Sequence, residues 1–212
     1  MSPEETLIPI SAWFTFRKAT KPEVKGLATP GREKDYDANS QVPTGFHNGR
    51  SIFYLFGRYP ADTKDKEYPV SDLVLCHGDF LNCDHEYIHL NKSFRGFGSY
   101  GDILVRDRKM YVAPTPFALA KGTTGFSTLI LPADFPTDPR LKKVGTLTRI
   151  EANKLIVAYN FDLKKNTLRP RTVPNPHKGK QHHFCAYRLK KGPDAPVSLA
   201  TNPQPISDND IE

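Results

Sequence analysis

Long apolar runs are missing from this chain. None approaches the roughly 18 residues that a membrane-spanning helix requires, so no membrane span is expected. Met1 to Thr6 holds two glutamates and no Lys or Arg, unlike the basic start of a secretory signal. Cysteine is scarce and odd in number, three in 212 residues. That speaks against a disulfide framework and for free thiols or metal ligands in a reducing compartment, the cytoplasm or nucleus. Also absent are a G-x-S-x-G elbow, a P-loop and a dinucleotide-binding glycine fingerprint, which removes three common routes to a named reaction. Nineteen prolines and fourteen glycines leave little uninterrupted length for helix.

What the chain does have is a series of short strand signals. Residues 8–18 alternate and hold the only tryptophan, 50–59 form a dense aromatic run, and 70–77 are apolar. Further signals lie at 86–90, 101–106 and 109–113, the last two reading as a hairpin. Thr115 can cap a short helix that Pro116 starts and Gly122 ends. Residues 125–131 are β-like. Residues 145–150 and 154–161 read as a hairpin turning at Ala152-Asn153, and strands at 167–173 and 182–190 would continue it as a meander. The expectation is a mainly β protein: a single-domain antiparallel β-sandwich or barrel with long loops and at most one or two short helices, over 1–191. Residues 19–45 are expected to be a long loop within that domain, and 192–212 a disordered acidic tail.

Charge is distributed unevenly. From Arg140 to Lys191 there are fourteen Lys and Arg against two acids, Glu151 and Asp162, while the rest of the chain has sixteen basic and twenty-one acidic residues. One basic face is therefore expected, built from 140–191 and suited to nucleic acid or another polyanion. Its candidate contacts are Lys164, Lys165, Arg169, Arg171, Lys178, Lys180 and Arg188, with Phe184 as a base-stacking aromatic among them. A non-enzymatic protein-interaction domain, or a viral-type structural β-domain with a protein partner, would have the same composition.

Two metal readings, for zinc and for iron, attach to the cluster at 76–89. Cys76, Cys83 and His85 could bind zinc, with Cys185 or His183 completing a tetrahedron. Alternatively His77-Gly78-Asp79 is an H-x-D triplet at a strand end, followed far downstream by His177 and Arg188. This order resembles the iron- and 2-oxoglutarate-dependent oxygenases of the double-stranded β-helix fold. The resemblance implies His77, Asp79 and His177 as metal ligands, and a metal-dependent enzyme. Finally, Lys92–Gly98 (KSFRGFG) and Ile52–Gly57 (IFYLFG) resemble the paired signatures of the RNA-recognition motif, whose aromatics stack on bases. The prolines and glycines between the two leave no room for the helix that fold requires.

Overall fold

The computed structural model describes residues 14–16, 23–38, 42–47, 49–61, 70–83, 99–106, 110–124, 127–162, 164–165, 167–189 and 197–199. Fifteen strands and two short helices follow one another along the described chain. The first seven strands are β1 (Phe14–Phe16), β2 (Glu23–Thr29), β3 (Asp35–Asp37), β4 (Phe46–His47), β5 (Arg50–Ser51), β6 (Phe53–Pro60) and β7 (Asp72–His77). Helix α1 (Gly78–Leu81), β8 (Leu104–Arg106), β9 (Met110–Pro114) and helix α2 (Pro116–Leu119) come next. The chain continues through β10 (Ser127–Pro132), β11 (Leu141–Ile150), β12 (Lys154–Asp162), β13 (Thr167–Pro174), β14 (Gln181–Leu189) and β15 (Val197–Leu199). Helix α2 begins as expected, with Thr115 accepting from the Ala118 amide and Pro116 in the first turn.

The main sheet has six strands in the order β11-β14-β10-β7-β6-β2. It is mixed rather than antiparallel: β2 runs parallel to β6 and β7 parallel to β10. Among the described residues it is also open, with β11 and β2 at its edges. The sequences of β6, β7 and β10 explain its place at the centre. Phe53-Tyr54-Leu55-Phe56, Leu73-Val74-Leu75-Cys76 and Thr128-Leu129-Ile130-Leu131 are near-continuous apolar runs, the pattern of strands buried on both faces. Tyr54, Phe56, Val74, Cys76, Ile130, Phe184 and Ala186 belong to one core cluster, which also takes in Tyr36, Ile103, Ala113, Phe80 and Phe117. Phe53, Leu55, Leu75, Leu129, Leu131, Cys185 and Tyr187 form the second, with Phe135 and Leu141.

Besides the mixed strand order, three expectations change. Residues 19–45 are not simply a loop, since β2 and β3 form within them. An edge strand is held by its backbone ladder and needs little apolar content; Leu27 is buried in β2 while Val24 is 66% exposed. Within 192–212, Val197–Leu199 pairs in parallel with Phe14–Phe16, and the rest of that tail lies outside the described residues. The third change matters most for function. Among the described residues, strand β11 pairs with β14, not with β12, and β12 pairs only with β13. Strands β12 and β13 are thus a long two-stranded ribbon inserted between the two halves of an antiparallel hairpin. The strand expected over 50–59 is split into β5, which pairs with β4, and β6 in the main sheet; the strand within 70–77 and the β8–β9 pair form as expected, whereas 86–90 lies outside the described residues.

Candidate functional sites: a basic ribbon, a His77 cavity and a Cys–Glu–His cluster

The ribbon leaves the main sheet just after the last β11–β14 pair, Ile150 with Gln181. Backbone bonds from Glu151 N to Lys180 O, Gly179 N to Glu151 O and Asn175 N to Asn153 O close its base. From there its eight or nine residues a side reach about 27 Å. At the tip, Asp162 accepts hydrogen bonds from the amides of Lys164 and Lys165, at 3.0 and 3.2 Å. The Tyr159 hydroxyl donates to the Ile103 carbonyl at 3.4 Å, tying the ribbon to the body of the protein.

Six of the eight residues expected to contact nucleic acid are exposed on this unit. Lys164 and Lys165 sit at the tip, Arg169 and Arg171 on β13, and Lys178 and Lys180 in the turn returning to β14. Among the described residues none of the six forms an ion pair. Both acids of the 140–191 segment are engaged elsewhere: Asp162 holds the tip, and the Glu151 side chain is wholly buried against His182. Lys154, at the base of β12, is exposed and adds a further cation that the sequence reading passed over.

The other two contacts are not on the ribbon. Phe184 is only 2% exposed and packs edge-on against Phe80, ring centroids 5.3 Å apart. It is core, because the stretch of β14 from Phe184 to Tyr187 is buried, with an apolar cluster on each face. Arg188 lies on β14 opposite Lys142, half-buried. Phe53, Tyr54 and Phe56, the would-be stacking residues of the first recognition-motif signature, are likewise buried, and residues 92–98 lie outside the described residues.

The H-x-D triplet is placed differently. His77 ends β7, and with Asp79 it lines a cavity of about 500 Å³ shared with Phe46, Ser51, Asp134 and Phe135. The Asp79 amide donates to His77 Nδ1 at 3.3 Å, capping α1. Burial pushes the His77 imidazole down to about 4. Its Nδ1 is therefore an acceptor on a neutral ring, and the Asp79 carboxylate 3.5 Å away does not keep it charged. The structure does not gather His77, Asp79 and His177 into one ligand set. His177 is exposed in the turn at the ribbon base, its amide donating to the Asn175 side chain.

The donor cluster that does form among the described residues is Cys83, Glu151 and His182, with one ligand atom from each lying within 4.8 Å of the others. Cys83 follows α1, Glu151 follows β11, and His182 is the second residue of β14, beside Glu151 through the Arg149–His182 pairing. His182 Nε2 is 2.7 Å from Glu151 Oε1, and Asn175 Nδ2 donates to Glu151 Oε2 at 2.9 Å. Cys76 and Cys185, from the zinc expectation, are instead buried in the two core clusters, and burial pushes the Cys76 thiol up. His183 is exposed, its ring nitrogen 3.3 Å from the Thr148 hydroxyl, and His85 lies outside the described residues.

A search of protein-family models finds no match to the chain, and neither the curated proteins nor the solved structures show a significant likeness to it. Among the described residues, no helix is long and apolar enough to cross a membrane.

Proposed function

We propose that the protein binds nucleic acid through the β12–β13 ribbon. The observation that carries this reading is the set of six exposed cations, Lys164, Lys165, Arg169, Arg171, Lys178 and Lys180, none ion-paired among the described residues, running from ribbon tip to base. A two-stranded β-ribbon is one of the two elements that fit the major groove of duplex DNA. Arg169 and Arg171, two residues apart on one strand, project on the same face about 6.7 Å apart, close to the axial advance of two nucleotides. Pro170 and Pro174 remove amide donors from β13, making it a poor template for an added strand. That favours presentation of side chains to a polyanion over strand addition by a protein partner. With Phe184 in the core, base stacking is not part of the proposal; phosphate contact is.

The test is a titration of labelled single-stranded and duplex nucleic acid at several salt concentrations. Six neutralised phosphates give a log–log slope of about −4 for single strands and about −5 for duplex DNA. Affinity that is independent of salt would overturn the reading.

A second reading rests on the cavity at His77. A neutral imidazole, a hydroxyl from Ser51 and carboxylates from Asp79 and Asp134 line one concave space. This is the make-up of a small-molecule or acid–base site. A ligand panel read by thermal shift tests it: a compound that stabilises the wild type but not Asp79→Asn supports it, and a panel without hits, repeated with Phe46→Ala to widen the mouth, counts against it.

A further inference from the structure

We infer that Cys83, Glu151 and His182 form a zinc-class metal site that clamps the base of the ribbon to the main sheet. This is independent of what the ribbon binds.

The argument starts from donor chemistry. A thiol sulfur, an imidazole nitrogen and a carboxylate oxygen, from three separate segments, come within 4.8 Å of one another. Metal–ligand bonds of about 2.0–2.3 Å in a tetrahedron put neighbouring ligand atoms about 3.3–3.8 Å apart, so small side-chain shifts admit the ion. The 2.7 Å bond between His182 Nε2 and Glu151 Oε1 would open as the metal takes its place. The sulfur and nitrogen donors select zinc-like ions over magnesium or calcium, which take oxygen.

The surroundings are those of a built site. The Glu151 side chain is wholly buried and His182 is 18% exposed. Asn175 holds the second carboxylate oxygen of Glu151 and is itself fixed by donating to the Ala152 carbonyl at 2.9 Å. That is how an outer residue aims a ligating carboxylate. The Tyr100 ring stands edge-on to His182 at 6.0 Å and carries the Arg149 guanidinium on its face at 4.2 Å, while its hydroxyl donates to the Asp79 carbonyl at 3.1 Å. Arg149 is ion-paired with Asp102. Desolvating a buried carboxylate is costly, and Asn175 supplies only a neutral donor to it; a divalent cation would offset that cost and let Cys83 bind as thiolate. Cys83 adjoins α1, Glu151 opens the path into β12, and Asn175 closes β13, so the ion would tie the ribbon's base to the chain segment after β7.

The test uses the full-length protein, stripped with chelator and titrated with Co²⁺ and then Zn²⁺. The expected result is stoichiometric uptake, with a thiolate-to-cobalt charge-transfer band that Zn²⁺ abolishes and that Cys83→Ser lacks. Asn175→Ala should weaken Zn²⁺ binding about 10-fold or more, whereas His183→Gln, one residue from the cluster, should leave it unchanged. Because Cys83→Ser could misfold, alkylation of wild-type Cys83 is followed with and without Zn²⁺, and the metal should slow it. No cobalt band, a band surviving in folded Cys83→Ser, or alkylation indifferent to Zn²⁺ would each overturn the assignment.

Discussion

Two residues show how burial decides role. Phe184 sits among His, Arg and Lys in the sequence, as a stacking residue would, but it is packed on Phe80 in the core. Phe184→Ala should therefore cost about 3–5 kcal/mol in chemical denaturation while leaving affinity for nucleic acid per folded molecule unchanged. A surface role would give the opposite pattern. His77, held down to about 4 by burial against an ordinary value of 6.5, makes stability depend on pH with a definite sign. Below about 6.5 the unfolded chain takes up a proton that the folded chain refuses until about 4. Stability is thus complete above that window and falls through it by about 1.4 kcal/mol per unit, about 3 kcal/mol in all. His77→Asn keeps a cap for α1 but cannot titrate. Its melting temperature should fall less between pH 6.5 and 4 than that of the wild type; equal falls would assign the effect to other groups.

Elements were legible where their side chains settle their environment. The central strands β6, β7 and β10 announce themselves by apolar runs, and α2 by Thr115-Pro116. Partners were not legible. Residues 145–150 and 154–161 alternate as a hairpin would, but alternation reports which face is buried and not which strand lies alongside. The β11–β14 pairing brings Glu151 next to His182, thirty-one residues on, and that is why the Cys83–Glu151–His182 cluster could not be assembled from spacing. Nor does sequence reveal close backbone approach. Gly78 lies against the Thr44 carbonyl, where any Cβ would collide with it, and Gly45 has the same relation to Asp79 and His77. Gly78→Ala should destabilise by about 3 kcal/mol, since backbone cannot give way. A Cβ at Gly57 would lie 3.4 Å from the side chains of Leu73 and Val70, so Gly57→Ala should cost less than about 1 kcal/mol. Urea denaturation of the two variants distinguishes the sites.

For the molecule as a whole, the excess of fourteen cations over two acids between Arg140 and Lys191 was legible as an asymmetry but not as a shape. The fold sorts it: Arg140 and Arg149 are ion-paired with Asp138 and Asp102, Arg188 is half-buried in the sheet, and seven of the remainder, Lys154 included, lie on or at the foot of the ribbon. The most direct measurement is nucleic-acid affinity after charge reversal at Lys164, Lys165, Arg169 and Arg171, set beside reversal of four exposed cations elsewhere, Arg32, Lys34, Lys121 and Lys142. Ribbon binding predicts a loss of at least 100-fold for the first variant, with a salt slope shallower by about 3–4, and a loss of less than about 10-fold for the second. Equal losses from the two would show a general response to net charge and contradict a ribbon-centred site.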